Sequence, residues 1–193
     1  MAGPGAAVRV RPATPADRAF VLDTARRLVG FEPPPSRTRE LLLATDAATL
    51  SGYFGRLRRA RRALVSLLQG RPRAEILIAE SASAERLGFV YVHRAADYFT
   101  GREISYLSVI AVAKAAEGRG IGGVLLREVE RWARERGHPL VMLNVFAANT
   151  LARAVYERSG YVCETVRYVK VLSPPTAGAP PEPAAPDSRD LRR

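Results

Sequence analysis

The amino-acid sequence predicts an α/β fold, an α+β mixed sheet that is mostly antiparallel, and two observations carry that reading. Three strand-like segments in a row, Glu75 to Glu80, Leu87 to His93 and Ile104 to Val112, are separated by short polar or glycine-containing turns, the pattern of an antiparallel meander. A helix-period segment from Ile121 to Arg136 then leads into the near-continuous apolar run Leu140 to Phe146. A strand–helix–strand crossover of that kind places the run parallel to Ile104 to Val112.

The other elements follow in chain order. Val8-Arg9-Val10-Arg11 alternates as a short strand. Thr14 is an N-cap with Pro15 at the first helical position, so a helix is expected to about Val29, and Pro33-Pro34-Pro35 breaks it. A second helix is expected from Asp46 to Gln69, with Leu50, Phe54, Leu57, Leu64 and Leu68 on one stripe, ended by Gly70-Arg71-Pro72. The crossover helix buries Leu125, Val129 and Trp132, sets Glu130 four residues before Arg134, and stops at Gly137. A last helix, Thr150 to Arg158, ends at Ser159-Gly160 and is followed by strands around Val162 and from Val166 to Leu172. Ser173 to Arg193 is rich in Pro and Ala without periodicity. The expected organisation is one domain over residues 1–172 and a disordered tail over 173–193.

Composition narrows the chemistry. The 193 residues suffice for a single core, and 30 Lys and Arg against 19 Asp and Glu give a net charge of +11 and a pI near 10.7. Such a chain attracts phosphorylated ligands, nucleic acid or anionic lipid, and the charge alone does not choose among them. Cys163, alone of its kind, excludes an internal disulfide framework, and with only His93 and His138 beside it no metal is expected. The N-terminus lacks the apolar core of a signal sequence, and no apolar run approaches a membrane span. A cytoplasmic protein with no membrane partner is the expectation.

Between Val109 and Gly123 a buried-strand pattern runs through Glu117-Gly118-Arg119-Gly120-Ile121-Gly122-Gly123 straight into the crossover helix. Glycines bring backbone N–H groups close to an anion, and the first turn of a helix adds unpaired donors and the positive end of its dipole, so the wiring is that of a phosphate site. Gly118 to Gly123 formally satisfies G-x-G-x-x-G. A dinucleotide site would also need a ribose-binding acid about twenty residues on, where Leu140 to Phe146 is followed by Asn and Ala residues instead. The Gly-Lys-Ser/Thr of a Walker loop is absent.

The run Glu-Gly-Arg-Gly-Ile-Gly-Gly-Val-Leu-Leu, followed two elements later by Asn149-Thr-Leu-Ala-Arg-Ala-Val-Tyr156-Glu-Arg-Ser-Gly-Tyr, resembles the GCN5-related N-acetyltransferases, the GNAT superfamily. The resemblance spans roughly Val8 to Leu172 and is strongest from Ile104 onward. It implies a GNAT-like fold: a central, mostly antiparallel sheet with a splayed parallel pair and flanking helices. It also implies that backbone amides from Glu117 to Gly123 hold the pyrophosphate of acetyl-CoA, and that amides of Ile110, Ala111 and Val112 bind the pantetheine and polarise the thioester. Glu117 stands where the family usually has Gln or Arg, and Lys114 replaces a common proline, adding positive charge beside the anion. Asn149 and Tyr156, seven residues apart, project from one helix face. By resemblance Asn149 contacts the pantetheine region and Tyr156 is the general acid that protonates the departing CoA thiolate.

On the acceptor side a base is needed to take the amine proton, and Glu103, Tyr106 and His93 are the candidates. The position where some protein-acetylating members carry a catalytic glutamate falls at Tyr106, and Ser108 and Val109 also lack a carboxylate. His138 reads as a surface residue, Cys163 as a small core residue and Trp132 as core. Arg56 to Arg62 reads as a solvated face, or functionally as an attraction for acidic acceptors, nucleic acid or ribosomes. The leading expectation is an enzyme that moves an acetyl group from acetyl-CoA to a small-molecule or protein amine through a ternary complex. The rival is a basic module that binds nucleic acid and holds CoA structurally or not at all. The resemblance also allows a homodimer.

Overall fold

A computed structural model describes residues 8–62 and 72–172. The expected helix end beyond Arg62, with Leu64 and Leu68, and the tail from Ser173 lie outside the described residues. Five strands form one sheet: β1 (Arg9–Pro12), β2 (Ala74–Glu80), β3 (Arg86–Ala96), β4 (Glu103–Val112) and β5 (Val141–Leu143), in that spatial order. The first three pairings are antiparallel and β4 pairs with β5 in parallel, which is the mixed sheet the sequence predicts.

Alternation in β2 to β4 sends apolar side chains to both faces, and a helical layer covers each. On one face Leu77, Val90, Val92 and Leu107 pack with Leu125, Leu126, Val129 and Trp132 of α3 (Ile121–Arg134). On the other, Ile76, Ile78, Phe89, Tyr91 and Val109 lie under Val21 of α1 (Arg18–Ala25) and Leu50, Tyr53 and Phe54 of α2 (Arg39–Arg62). Each fully buried Leu, Ile or Phe contributes about 1.5–3 kcal/mol, so the two faces together clamp the middle strands. A further helix, α4 (Thr150–Arg158), packs on the α3 side through Tyr156.

The entry to α1 is pinned by a buried charge. Thr14 caps a single turn over Pro15–Asp17, and its backbone N–H donates to Asp17 Oδ2 at 2.7 Å. Arg11 of β1 and Arg86 of β3 reach the same carboxylate at 2.8 and 2.7 Å. Burial pushes the Asp17 carboxyl up, but the hydrogen bonds from Arg11, Thr14 and Arg86 outweigh it and hold the group well below the usual carboxylate range.

Several expectations are corrected. The first helix ends at Ala25, not Val29. The second begins at Arg39, not Asp46, because Thr38 caps it: the Leu41 N–H donates to Thr38 Oγ1 at 3.2 Å. The parallel strand is only Val141–Leu143. Residues 161–172 form no strand; Val162, Tyr168 and Leu172 are 86%, 92% and 85% exposed, because three paired residues of β5 offer too short an edge to extend the sheet. Cys163 lies in that segment and is exposed, not core. His138 is buried, not on the surface, with Nδ1 2.9 Å from Ser105 Oγ, and burial lowers its pKa. Trp132 is core, its indole N–H donating to Glu75 at 2.8 Å. No helix among the described residues is long and apolar enough to cross a membrane.

Candidate active site

The parallel ladder joins Ser105–Leu107 of β4 to Val141–Leu143, the whole of β5, so from Ser108 to Val112 that edge of β4 has no strand beside it, which opens a split in the sheet. At the same point β4 bulges toward β3: Tyr91 faces Val109 and Val92 faces Leu107, which leaves Ser108 as the extra residue. Beyond the split, the N–H and C=O groups on that edge of β4 have no strand partner and address whatever lies along it. Ile110 and Val112 lean toward the α3 core, and Ala111 is buried toward α1 and α2.

β4 delivers the chain to the glycine loop. A single turn over Lys114–Ala116 precedes Gly118 and Gly120, whose φ values of 72° and 75° are left-handed, and α3 starts at Ile121. A side chain in that conformation costs about 1–2 kcal/mol. A Cβ built on Gly118, Gly120 or Gly122 meets nothing within 4 Å, so no protein atom demands their smallness. Bare backbone faces open space in front of the N–H donors of the first turn of α3, a cradle that fits a pyrophosphate. At Gly123 the built Cβ lies 3.5 Å from Arg127 Nη1, an ordinary contact. Ile121 is buried and anchors the loop, whereas Arg119 is exposed.

The anomalous acid in the loop has a partner. Arg27, in the turn that follows α1, donates to the Glu117 carboxylate, which neutralises it and ties that turn to the loop. Beside this pair a cavity of about 530 Å³ is lined by Phe20, Asp23, Thr24, Arg27, Ala113 and Lys114.

α4 contributes from the α3 face of the sheet. Asn149 is its N-cap, with Oδ1 accepting from the Ala152 N–H at 3.2 Å, so the Nδ2 end of the amide is what it presents to a ligand. Tyr156 is buried in the cluster that contains Ile110 and Val112 from β4 and Leu143 from β5, the strands on both sides of the split. Burial pushes its phenol up to about 12, so the hydroxyl stays protonated at neutral pH and is able to donate.

The three expected bases stand differently. Tyr106 is half-buried, burial raises its pKa, and a hydrogen bond from the Asn144 backbone ties it across the split. Glu103 occupies the first position of β4 and pairs with Arg94 at 3.1 Å; with about 3.3 Å per residue it stands about 30 Å from the loop end of the strand, and the structure does not bring it to the split. His93 hydrogen-bonds Ser108 at 2.9 Å. Arg56, the first of the arginine cluster, hydrogen-bonds Tyr91 and so ties α2 to the sheet. Sequence reasoning misses Arg27, the pairing of Ser108 with His93, and the Phe31–Phe146 ring contact at 5.3 Å, which joins the α1–α2 connection to the chain after β5. Each depends on partners far apart in the chain, and no local pattern signals them.

The model of the acetyltransferase (GNAT) family matches residues 44–161. The chain belongs to this family. The matched stretch contains the split, the glycine loop and Tyr156, the parts of this GNAT protein on which the resemblance rests. An uncharacterized N-acetyltransferase of Bacillus subtilis (strain 168), YdgE, is 28% identical over 88 residues, 46% of this chain and 55% of that protein. The mycothiol acetyltransferase of Rhodococcus erythropolis (strain PR4 / NBRC 100887) is 36% identical over 75 residues, 39% of this chain and 25% of that protein. The chain therefore spans about half or less of the length of these relatives. Among solved structures, a Pyrococcus furiosus protein described as an acetyl transferase has a TM-score of 0.59 at 26% identity, covering 86% of this chain and 100% of its own. The aminoglycoside N-acetyltransferase AAC(6')-Iy in complex with CoA shares the fold, with a TM-score of 0.58 at 17% identity over 90% and 100% of the two chains.

Proposed function

We propose that this GNAT protein transfers an acetyl group from acetyl-CoA directly to a primary amine, with both substrates bound together and no acyl-enzyme formed. The observation that carries the reading is the bare left-handed backbone of Gly118 and Gly120 at the head of α3, where β4 emerges from the split. In this reading the amides from Glu117 to Gly123 hold the pyrophosphate, and Arg27 removes the repulsion that Glu117 would otherwise exert. The unpaired edge of Ile110, Ala111 and Val112 binds the pantetheine arm and polarises the thioester carbonyl. Asn149 addresses the arm with its amide nitrogen. Tyr156 gives its proton to sulfur as the C–S bond breaks, which makes a thiolate easier to expel.

The acceptor class follows from the chemistry and the relatives together. Relatives carry the names of mycothiol, aminoglycoside and ribosomal-protein-alanine acetyltransferases, all consistent with an amine acceptor. A small-molecule amine is preferred to a protein amine, since no peptide-binding signature is legible in the chain. The test is release of free CoA thiol from acetyl-CoA over a panel of primary amines. Amine-dependent release supports the reading; none over a broad panel, together with salt-sensitive nucleic-acid binding lost on changing Arg56 to Arg62, supports a basic binding module instead.

A further inference from the structure

We propose that Ser108 and His93 form the relay that removes the proton from the acceptor amine, Ser108 touching the amine and His93 acting as the base behind it; this rests on the acetyltransferase reading above. Ser108 is the first residue of β4 beyond its last rung with β5 and also the extra residue of the bulge against β3. The residue thus stands beside the split, released from the strict alternation of the strand, and its side chain reaches His93 of β3.

The hydrogen bonds give the pair a direction. His93 Nδ1 lies 2.8 Å from the carbonyl oxygen of Arg94, which only accepts, so Nδ1 carries the ring proton. Nε2 then presents its lone pair, and Ser108 Oγ at 2.9 Å donates to it. This is the arrangement of an activated hydroxyl: a donor, a base, and a third group that fixes the tautomer of the base. The imidazole is held between Tyr91 and Tyr106, with ring centroids at 5.7 and 5.4 Å. Around it stand Tyr53 behind Tyr91, Arg56 on the Tyr91 hydroxyl, and Arg94 on the next rung, ion-paired to Glu103 at the end of the strand. Both His93 and Ser108 are half-buried, so the relay opens to the split and to solvent. Tyr106 is engaged by the Asn144 backbone and Glu103 is ion-paired at the far end of β4, which leaves His93 as the candidate base, its Nε2 lone pair directed at Ser108.

The step balances. The amine nitrogen bonds to the thioester carbonyl carbon. Its proton passes to Ser108 Oγ as the serine proton passes to His93 Nε2, the C–S bond breaks, and sulfur takes the Tyr156 proton. His93 gains one proton and Tyr156 loses one, and solvent restores both.

The experiment uses the full chain with an amine found active in the thiol-release panel, comparing wild type with His93→Gln and Ser108→Ala. Expected are unchanged acetyl-CoA affinity and a kcat lowered by about 10²–10⁴-fold in each variant. The rate of the variants should then climb with pH as the free amine form grows, and amines of low pKa should recover much of the loss, whereas a merely structural role moves neither. Nitrogen-15 NMR of the wild-type imidazole should show the Nδ1–H tautomer. Folded variants with wild-type kcat and pH profile, an Nε2–H tautomer, or an acetyl adduct on Ser108 would each overturn the relay alone. A wild type that fails to bind acetyl-CoA would overturn the transferase reading, and the relay with it.

Discussion

Gly120 and Gly137 provide a matched pair that separates folding from ligand binding. Both are left-handed, with φ of 75° and 69°, and a Cβ built on either meets nothing within 4 Å. Alanine at either position therefore costs only the backbone strain, about 1–2 kcal/mol. For a chain of 193 residues each kcal/mol lowers Tm by about 2–4 °C, so both variants should melt about 2–8 °C below wild type. Their affinities should part. At Gly120 the methyl group enters the space in front of α3 and displaces an anion from the loop amides. A hydrogen bond to a charged group is worth about 1.5–3 kcal/mol, so acetyl-CoA should bind about 10- to 150-fold more weakly. Gly137 lies in the turn that follows α3, at the other end of the helix, and Gly137→Ala should keep wild-type affinity. Thermal melts and calorimetric titration on the same preparations read both quantities. If Gly120→Ala melts early yet binds acetyl-CoA as well as Gly137→Ala does, the loop is a structural turn and the phosphate-cradle reasoning fails.

Tyr156→Phe should lower kcat by about 10²–10⁴-fold with little change in acetyl-CoA affinity, measured by thiol release beside calorimetry; full turnover at every pH would remove the tyrosine from its role. Arg27→Ala should weaken acetyl-CoA binding by exposing the Glu117 carboxylate to the pyrophosphate, and adding Glu117→Gln should recover it, a sign reversal that titration of the single and double variants detects. Asp17→Asn removes one partner of a buried ion cluster and should cost about 3–5 kcal/mol in urea unfolding. Because the native carboxyl lies below its unfolded value of about 3.9, its stabilisation is present above that pH and is lost as pH falls toward the native value. The gap between wild type and variant should accordingly be full at pH 7 and narrow in acid.

Much of the scaffold is legible because it rests on local physics. Gly118 and Gly120 announce left-handed backbone, the stripe of Leu125, Val129 and Trp132 announces a buried helix face, and Thr150 to Arg158 is bounded by Asn149 and Gly160 at its ends. What escapes is nonlocal. Arg27 and Glu117 lie ninety residues apart, so nothing near Glu117 reveals that its charge is neutralised. The burial of His138 depends on Ser105 from another strand. The alternation of Val162, Val166 and Tyr168 reads as strand, but a strand also needs an edge to join, and β5 offers three residues. Ser108 looks like any strand residue until the bulge and the split fall on the same position.

The most direct test of the central claim is calorimetric titration of the wild type and of Gly120→Glu with acetyl-CoA. A saturable one-to-one isotherm for the wild type that disappears when a carboxylate is placed in the cradle is the predicted result. No binding by the wild type, or equal binding by both proteins, would contradict it.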